Sequence, residues 1–146
     1  MSEEKQKQAL PEPVKAHLLK TRAVTENTDQ AKELFNAGRY GILLSSGKVQ
    51  LSLIEAIYLS EKQKIILLDQ RNKEITFENC LKKSQKQEHN FWAKYCVYKD
   101  IRNRGYIIKT ALKFGADFRV YDRGIKPGED HAKWVVFPAH IMKLDG

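Results

Sequence analysis

The sequence predicts a small α+β module followed by a second unit whose core is α+β or α/β. Short apolar runs bounded by Gly, Asn, Asp and Ser read as strands, and longer runs with apolar residues three and four apart read as helices. Their order along the chain matters as much. Strand, helix, hairpin, helix and strand come first, and then a long helical stretch gives way to strands around a Gly/Pro-rich loop. The boundaries are a polar tail over residues 1–13, an N-terminal domain over 14–86 and a C-terminal domain over 87–146.

The elements are justified in order. Residues 1–13 are polar and end in Pro11-Glu12-Pro13, where the prolines exclude a helix, so they read as a mobile tail. A strand is expected around VKAHLLKTRAVT, from Val14 to Thr25. Asn27-Thr28-Asp29 then caps a helix through QAKELFNAG, which Gly38 closes. YGILLSSGKVQLS alternates about a Ser-Ser-Gly turn and predicts a hairpin. Leu53, Ile54, Ile57 and Tyr58 recur at helical spacing, with Ser52 placed to cap them, and KIILLD is a short buried strand. The stretch from Thr76 to Gly105 reads as helical throughout, with a charged and amide-rich middle, KKSQKQEHN, that suits a domain boundary. Its second half puts Phe91, Tyr95, Tyr98 and Ile101 on one face, and Gly105 stops it. Strands follow at Ile107–Leu112 and Asp117–Tyr121, joined at KFGA, and at Trp134–Phe137.

Composition narrows the function. The 146 residues carry a net charge of +8, which favours a polyanionic partner, nucleic acid first and an anionic membrane surface second. Two cysteines, Cys80 and Cys96, separated by charged residues, suggest neither a disulfide framework nor a zinc site. No apolar run approaches a membrane span and the first ten residues are too polar for a secretory signal, so a reduced, cytoplasmic setting is expected.

The segment FGADFRVYDRGIKPGEDHAKWVVF raises the functional question. A glycine turn leads into a strand ended by Tyr121, and a Gly/Pro-rich loop delivers His131 to the next strand, so a tyrosine and a histidine flank one loop. Taken alone, Tyr121 reads as a rim aromatic with its hydroxyl in water, and His131 as a loop histidine or cap. Trp134, Val136 and Phe137 are candidates for core or interface. His89 and His140 have no partner at ligand spacing, and Arg102 and Arg104 sit where a helix C-terminus favours cations.

GKVQLSLIEAIYL, YKDIRNRGYIIKTALKFGADFRVYDRG and HAKWVVF, in this order, resemble the archaeal tRNA-intron splicing endonucleases and, more distantly, the catalytic subunits of the eukaryotic splicing enzyme. The resemblance runs from about residue 14 to the end. Its specificity lies in the combination of a helix ending in Arg-x-x-Gly-Tyr, a Lys-x-Gly turn and the Tyr…His pair. It implies an α+β N-terminal domain and a catalytic domain of α/β, nuclease-like (restriction-endonuclease-like) fold. It also implies assembly into homo- or hetero-oligomers, and a precursor-tRNA substrate folded as a bulge-helix-bulge.

The chemistry so implied uses RNA's own nucleophile. Attack by the ribose 2′-hydroxyl needs a base beside it, an acid beside the departing 5′-oxygen and positive charge on the phosphorane, and no metal is obligatory. The resemblance assigns the base or positioning role to Tyr121 and the acid role to His131, with a 2′,3′-cyclic phosphate and a 5′-hydroxyl as products. A free phenol titrates near pH 10, so a neighbouring cation such as Arg123 has to favour the phenolate, whereas an imidazole needs no such help. Arg123, Lys126 and Lys133 are the RNA contacts expected around the loop. The family's third catalytic residue is a lysine on a helix well downstream of the histidine. This sequence ends fifteen residues after His131, and neither Lys133 nor Lys143 stands at that position. The expectation is therefore a catalytic subunit lacking its C-terminal part, weak or inactive alone and with an exposed edge strand prone to self-association, or one completed by a second polypeptide.

Two other readings remain. A metal-dependent nuclease of the restriction type would use Asp117 as one acid, but the triplet that should hold a second carboxylate reads His131-Ala132-Lys133. A non-catalytic structural subunit that binds tRNA or a catalytic partner would have no need of the Tyr121 and His131 spacing.

Overall fold

The computed structural model describes residues 12–110, 117–123, 132–136 and 141–143. Its contacts divide the chain into two units, one up to Lys83 and one from Ser84 onward.

The first unit opens with a hairpin where the sequence reads as a single strand. β1 (Val14–Leu18) and β2 (Arg22–Thr25) pair antiparallel. The run breaks because the polar Lys20 and Thr21 form a tight turn, closed by the Leu19 N–H donating to the Arg22 carbonyl at 2.7 Å. Helix α1 (Asp29–Asn36) starts at Thr28, whose hydroxyl accepts the Ala31 N–H at 3.1 Å. β3 (Ile42–Leu43) and β4 (Val49–Ser52) form the expected hairpin. Helix α2 (Leu53–Glu61) follows without a loop, and a reciprocal cap explains how. The Ser52 hydroxyl accepts the Glu55 N–H at 3.3 Å, and Glu55 Oε1 accepts the Ser52 N–H at 2.9 Å. Glu55 is 5% exposed, and its second oxygen accepts the Gly41 N–H at 2.8 Å. Gly41 has φ +68°, and a Cβ there would press into the Gln50 carbonyl oxygen, so only glycine suits that turn.

β5 (Ile65–Leu68) pairs parallel to β1, with Val14 opposite Ile65, and antiparallel to β6 (Glu74–Ile75). The sheet order is β3-β4-β2-β1-β5-β6, and α2 packs on β4, β2 and β5. Ala16, Leu51, Ile57, Leu59 and Leu67 are fully buried in this unit. The sequence reading does not contain β6. It depends on Asp69, whose carboxylate accepts the N–H groups of Arg71 (2.8 Å) and Lys73 (2.9 Å) and so bends a wholly polar turn.

The stretch read as helical throughout is two helices, α3 (Phe77–Gln87) and α4 (Phe91–Asn103), broken at Glu88–Asn90. Of KKSQKQEHN, residues 82–87 stay helical, with Ser84 buried, and the break is confined to the last three residues, Glu88, His89 and Asn90, all exposed. In α4, Phe91, Tyr95 and Tyr98 are buried as their spacing predicts, and Ile101 is half-buried. Gly105, at φ +92°, ends the helix.

Four antiparallel strands complete this unit in the order β7 (Ile107–Thr110), β8 (Phe118–Tyr121), β9 (Trp134–Val136) and β10 (Ile141–Lys143). Helix α4 packs on β7, and Tyr98 meets Phe118 with ring centroids 5.8 Å apart. The α4 face of the sheet therefore carries Phe118 and Val120 with their partners Ile108, Trp134 and Val136, while Lys109, Arg119, Tyr121 and Val135 point the other way. β10 is absent from the sequence reading. The tail up to Pro11, the KFGA turn, Phe137 and His140 lie outside the described residues.

Candidate active site

Tyr121 ends β8 opposite Ile107 of β7, on the face turned away from α4. It is 4% exposed, so its ring is buried and does not stand out at the rim. The cation that lies over its ring is Arg119, whose guanidinium carbon is 6.0 Å from the ring centroid and whose Nε donates to the Thr110 carbonyl at 3.2 Å. Arg123, expected to serve Tyr121, is engaged elsewhere. Its guanidinium lies 4.5 Å from the centroid of Tyr106, and its Nε donates to the Arg104 carbonyl at 2.9 Å. The Arg123 side chain runs past Gly105, its Nε 3.4 Å from where a Cβ at 105 would stand, an ordinary contact distance. His131 and Lys126 lie outside the described residues.

A second cluster lies about a cleft of about 350 Å³ lined by Asp100, Ile101, Arg104, Tyr106, Val120, Trp134 and Val136. Tyr106 and Trp134 meet edge to face at 5.3 Å, with Arg123 over the first ring and Lys133 Nζ 5.3 Å from the centroid of the second. Lys133 also donates to Asp122 at 3.1 Å. That hydrogen bond, helped by the Arg123 N–H, holds the Asp122 carboxyl below its usual range. Arg104 pairs with Asp100 at 3.2 Å. Most cations here already have a protein partner.

Asp117, the acid of the metal-dependent reading, is 3.9 Å from Lys94, which also bonds Glu88 at 2.8 Å. Among the described residues no three His, Cys, Asp or Glu side chains gather into a set able to hold a metal ion. The two cysteines are free, Cys80 buried and Cys96 exposed. No helix among the described residues is long and apolar enough to cross a membrane.

Two residues escape the sequence reading. Arg102 is 8% exposed and donates from Nη1 to the Tyr106 carbonyl at 3.2 Å, so it ties the end of α4 to the start of β7 instead of only complementing a helix dipole. Arg119 sits beside Tyr121. Strand alternation alone places positions 119 and 121 on one face, and that was the available signal.

Comparison with known proteins places both units. Residues 14–81 match the family model of the tRNA intron endonuclease N-terminal domain, and residues 91–143 that of the tRNA intron endonuclease catalytic C-terminal domain. The chain is 43% identical over 128 residues to the tRNA-splicing endonuclease of Thermococcus onnurineus, covering 88% of this chain and 72% of that protein. It is 38% identical over 128 residues to the tRNA-splicing endonuclease of Pyrococcus horikoshii, with the same coverage. With that of Hyperthermus butylicus it shares 33% identity over 141 residues, 90% of this chain and 75% of the relative. An N-terminal module followed by a catalytic domain is the order in which the two matched family models fall along the chain. The chain belongs to the tRNA intron endonuclease family.

Proposed function

We propose that this protein cleaves precursor tRNA at its intron–exon junctions, in a bulge-helix-bulge, by a metal-independent transesterification. The 2′-oxygen of the ribose attacks phosphorus while its proton passes to Tyr121, which acts as the base. The bond from phosphorus to the 5′-oxygen breaks, and that oxygen takes a proton from His131. The products are a 2′,3′-cyclic phosphate and a 5′-hydroxyl, and the step balances without an oxidant or reductant. Arg123, Lys126 and Lys133 act as RNA contacts, and the protein works as a homo- or hetero-oligomer in the cytoplasm.

The observation that carries this reading is the match to both domains of the family together with Tyr121 closing β8. The burial of Tyr121 favours one alternative, a structural subunit in which the ring only packs. The test is His131→Ala in the whole protein with a precursor tRNA substrate. Cleavage should fall ~10²–10⁴-fold with little change in binding, because an acid acts on the leaving group in the transition state. The products of the unaltered protein should end in a cyclic phosphate and a 5′-hydroxyl. Equal losses of binding and rate, or 3′-hydroxyl ends, count against it.

A further inference from the structure

We infer that Arg119 is a further catalytic residue, with its guanidinium on the scissile phosphate of the RNA and Lys109 beside it on the adjacent nucleotide backbone. The inference rests on the reading that Tyr121 acts on RNA.

Three observations meet at this point. Arg119 is exposed, stands two residues before Tyr121 on the same face of β8 and lies over its ring at 6.0 Å. Its Nε is tethered to the Thr110 carbonyl at 3.2 Å, which fixes the stem and leaves the terminal nitrogens for another ligand. Lys94, Arg104 and Lys133 each pair with a carboxylate, whereas no carboxylate among the described residues pairs with Arg119. The strand register is the third observation. Lys109 of β7 stands directly opposite Arg119, so two cations face each other across the ladder on the Tyr121 side. Two cations so placed suit an anion that offers more than one oxygen.

A phosphodiester is such an anion. The planar fork of arginine matches two phosphate oxygens, and a lysine supplies a point charge to the next phosphate. Charge held in place where the phosphorane develops its extra negative charge lowers the barrier, and removing one such donor from a preorganised site costs ~10²–10³-fold in rate. Two neighbouring charged groups among the described residues have other partners. Asp122 holds Lys133, and Arg123 lies on Tyr106.

The experiment uses the whole protein with a precursor tRNA substrate under single-turnover conditions, and an uncleavable precursor carrying a 2′-deoxy splice site for binding. Arg119→Gln should slow cleavage of bound RNA about a hundredfold. It should also lower the slope of log affinity against log salt by about 0.7 to 0.9, the signature of one lost phosphate contact. Arg119→Lys should restore the salt slope and only part of the rate. Lys109→Gln should lower the slope with a much smaller effect on the rate. These readouts survive a modest loss of stability, because a packing role moves neither the salt slope nor the split between Arg119→Gln and Arg119→Lys. An unchanged single-turnover rate in Arg119→Gln overturns the assignment to the scissile phosphate, and an unchanged slope overturns phosphate contact altogether. Tyr121→Phe separates the two claims: if it is inactive while Arg119→Gln is normal, only this inference fails, and if it is fully active, the reading beneath also fails.

Discussion

The two faces of the C-terminal sheet are cut from alternate residues of the same strands, yet they differ in kind. Towards α4, Phe118, Val120, Ile108 and Val136 are buried and apolar, and Tyr98 of the helix packs onto Phe118. Away from it, the same strands carry the cations Lys109 and Arg119 beside Ile107, Tyr121 and Val135, which are themselves buried. A period of two lets a small sheet hold an apolar core with one set of residues and a face that mixes cations with buried side chains with the next. A slip of one residue would exchange the two. Register is therefore what places Tyr121, and the packing of Phe118 and Val120 under α4 is what fixes register.

The largest expected effect lies on the Tyr121 face. Tyr121→Phe removes one hydroxyl and no packing, so single-turnover cleavage of precursor tRNA should fall ~10²–10⁴-fold while binding and melting temperature stay put. An undiminished rate would make that face as structural as its opposite. Next comes Phe118→Ala on the α4 face, which should cost ~3–5 kcal/mol in urea unfolding, as expected when a buried aromatic ring is deleted. A cost under about 1 kcal/mol would mean that α4 does not hold the sheet through this residue. Arg123→Ala removes a cation from Tyr106 and a bond to the Arg104 carbonyl. It should cost about 1 kcal/mol and change RNA affinity more than the cleavage rate.

The smallest effect is a titration. Asp122 is lowered by its hydrogen bond from Lys133, so its contribution to stability is present above the ordinary carboxylate value and is lost as pH falls through the lowered one. Its side chain is half-exposed, so global unfolding will not register it. Carboxyl NMR should instead show the Asp122 midpoint rising in Lys133→Met. A midpoint that stays put would show that the Lys133 contact in the structure does not persist in solution.

Much of the fold was legible because local chemistry decided it. Thr28, Ser52 with Glu55, and Gly105 mark helix ends by caps and a positive φ that sequence reveals directly. The hairpin turn at Leu19–Thr21 was missed because it contains no Gly, Pro, Asn or Asp, and β6 because its hydrophobic signal is a single Ile75. Both are local hairpins whose strands stand only a few residues apart, Leu18 opposite Ala23 and Leu68 opposite Glu74, so what was missing was a local signal and not a distant partner. At the site, the role of Tyr121 was read from the family resemblance alone, whereas its place at the end of a strand was legible. Its neighbour was not: proximity along the chain pointed to Arg123, whereas the strand's alternation put Arg119 over the ring and left Arg123 free to reach Tyr106.

The central claim is that the Tyr121 face works on RNA through the ribose's own hydroxyl. The most direct measurement incubates the whole protein in EDTA with a precursor tRNA bearing a single 2′-deoxy nucleotide at one splice site, beside an all-ribose control. The account predicts that the control is cut and the modified site stays intact, since the nucleophile has been removed from the substrate. Cleavage at the deoxy site, or cleavage of the control only after Mg²⁺ is added, would contradict it, because a metal-activated water needs no 2′-hydroxyl.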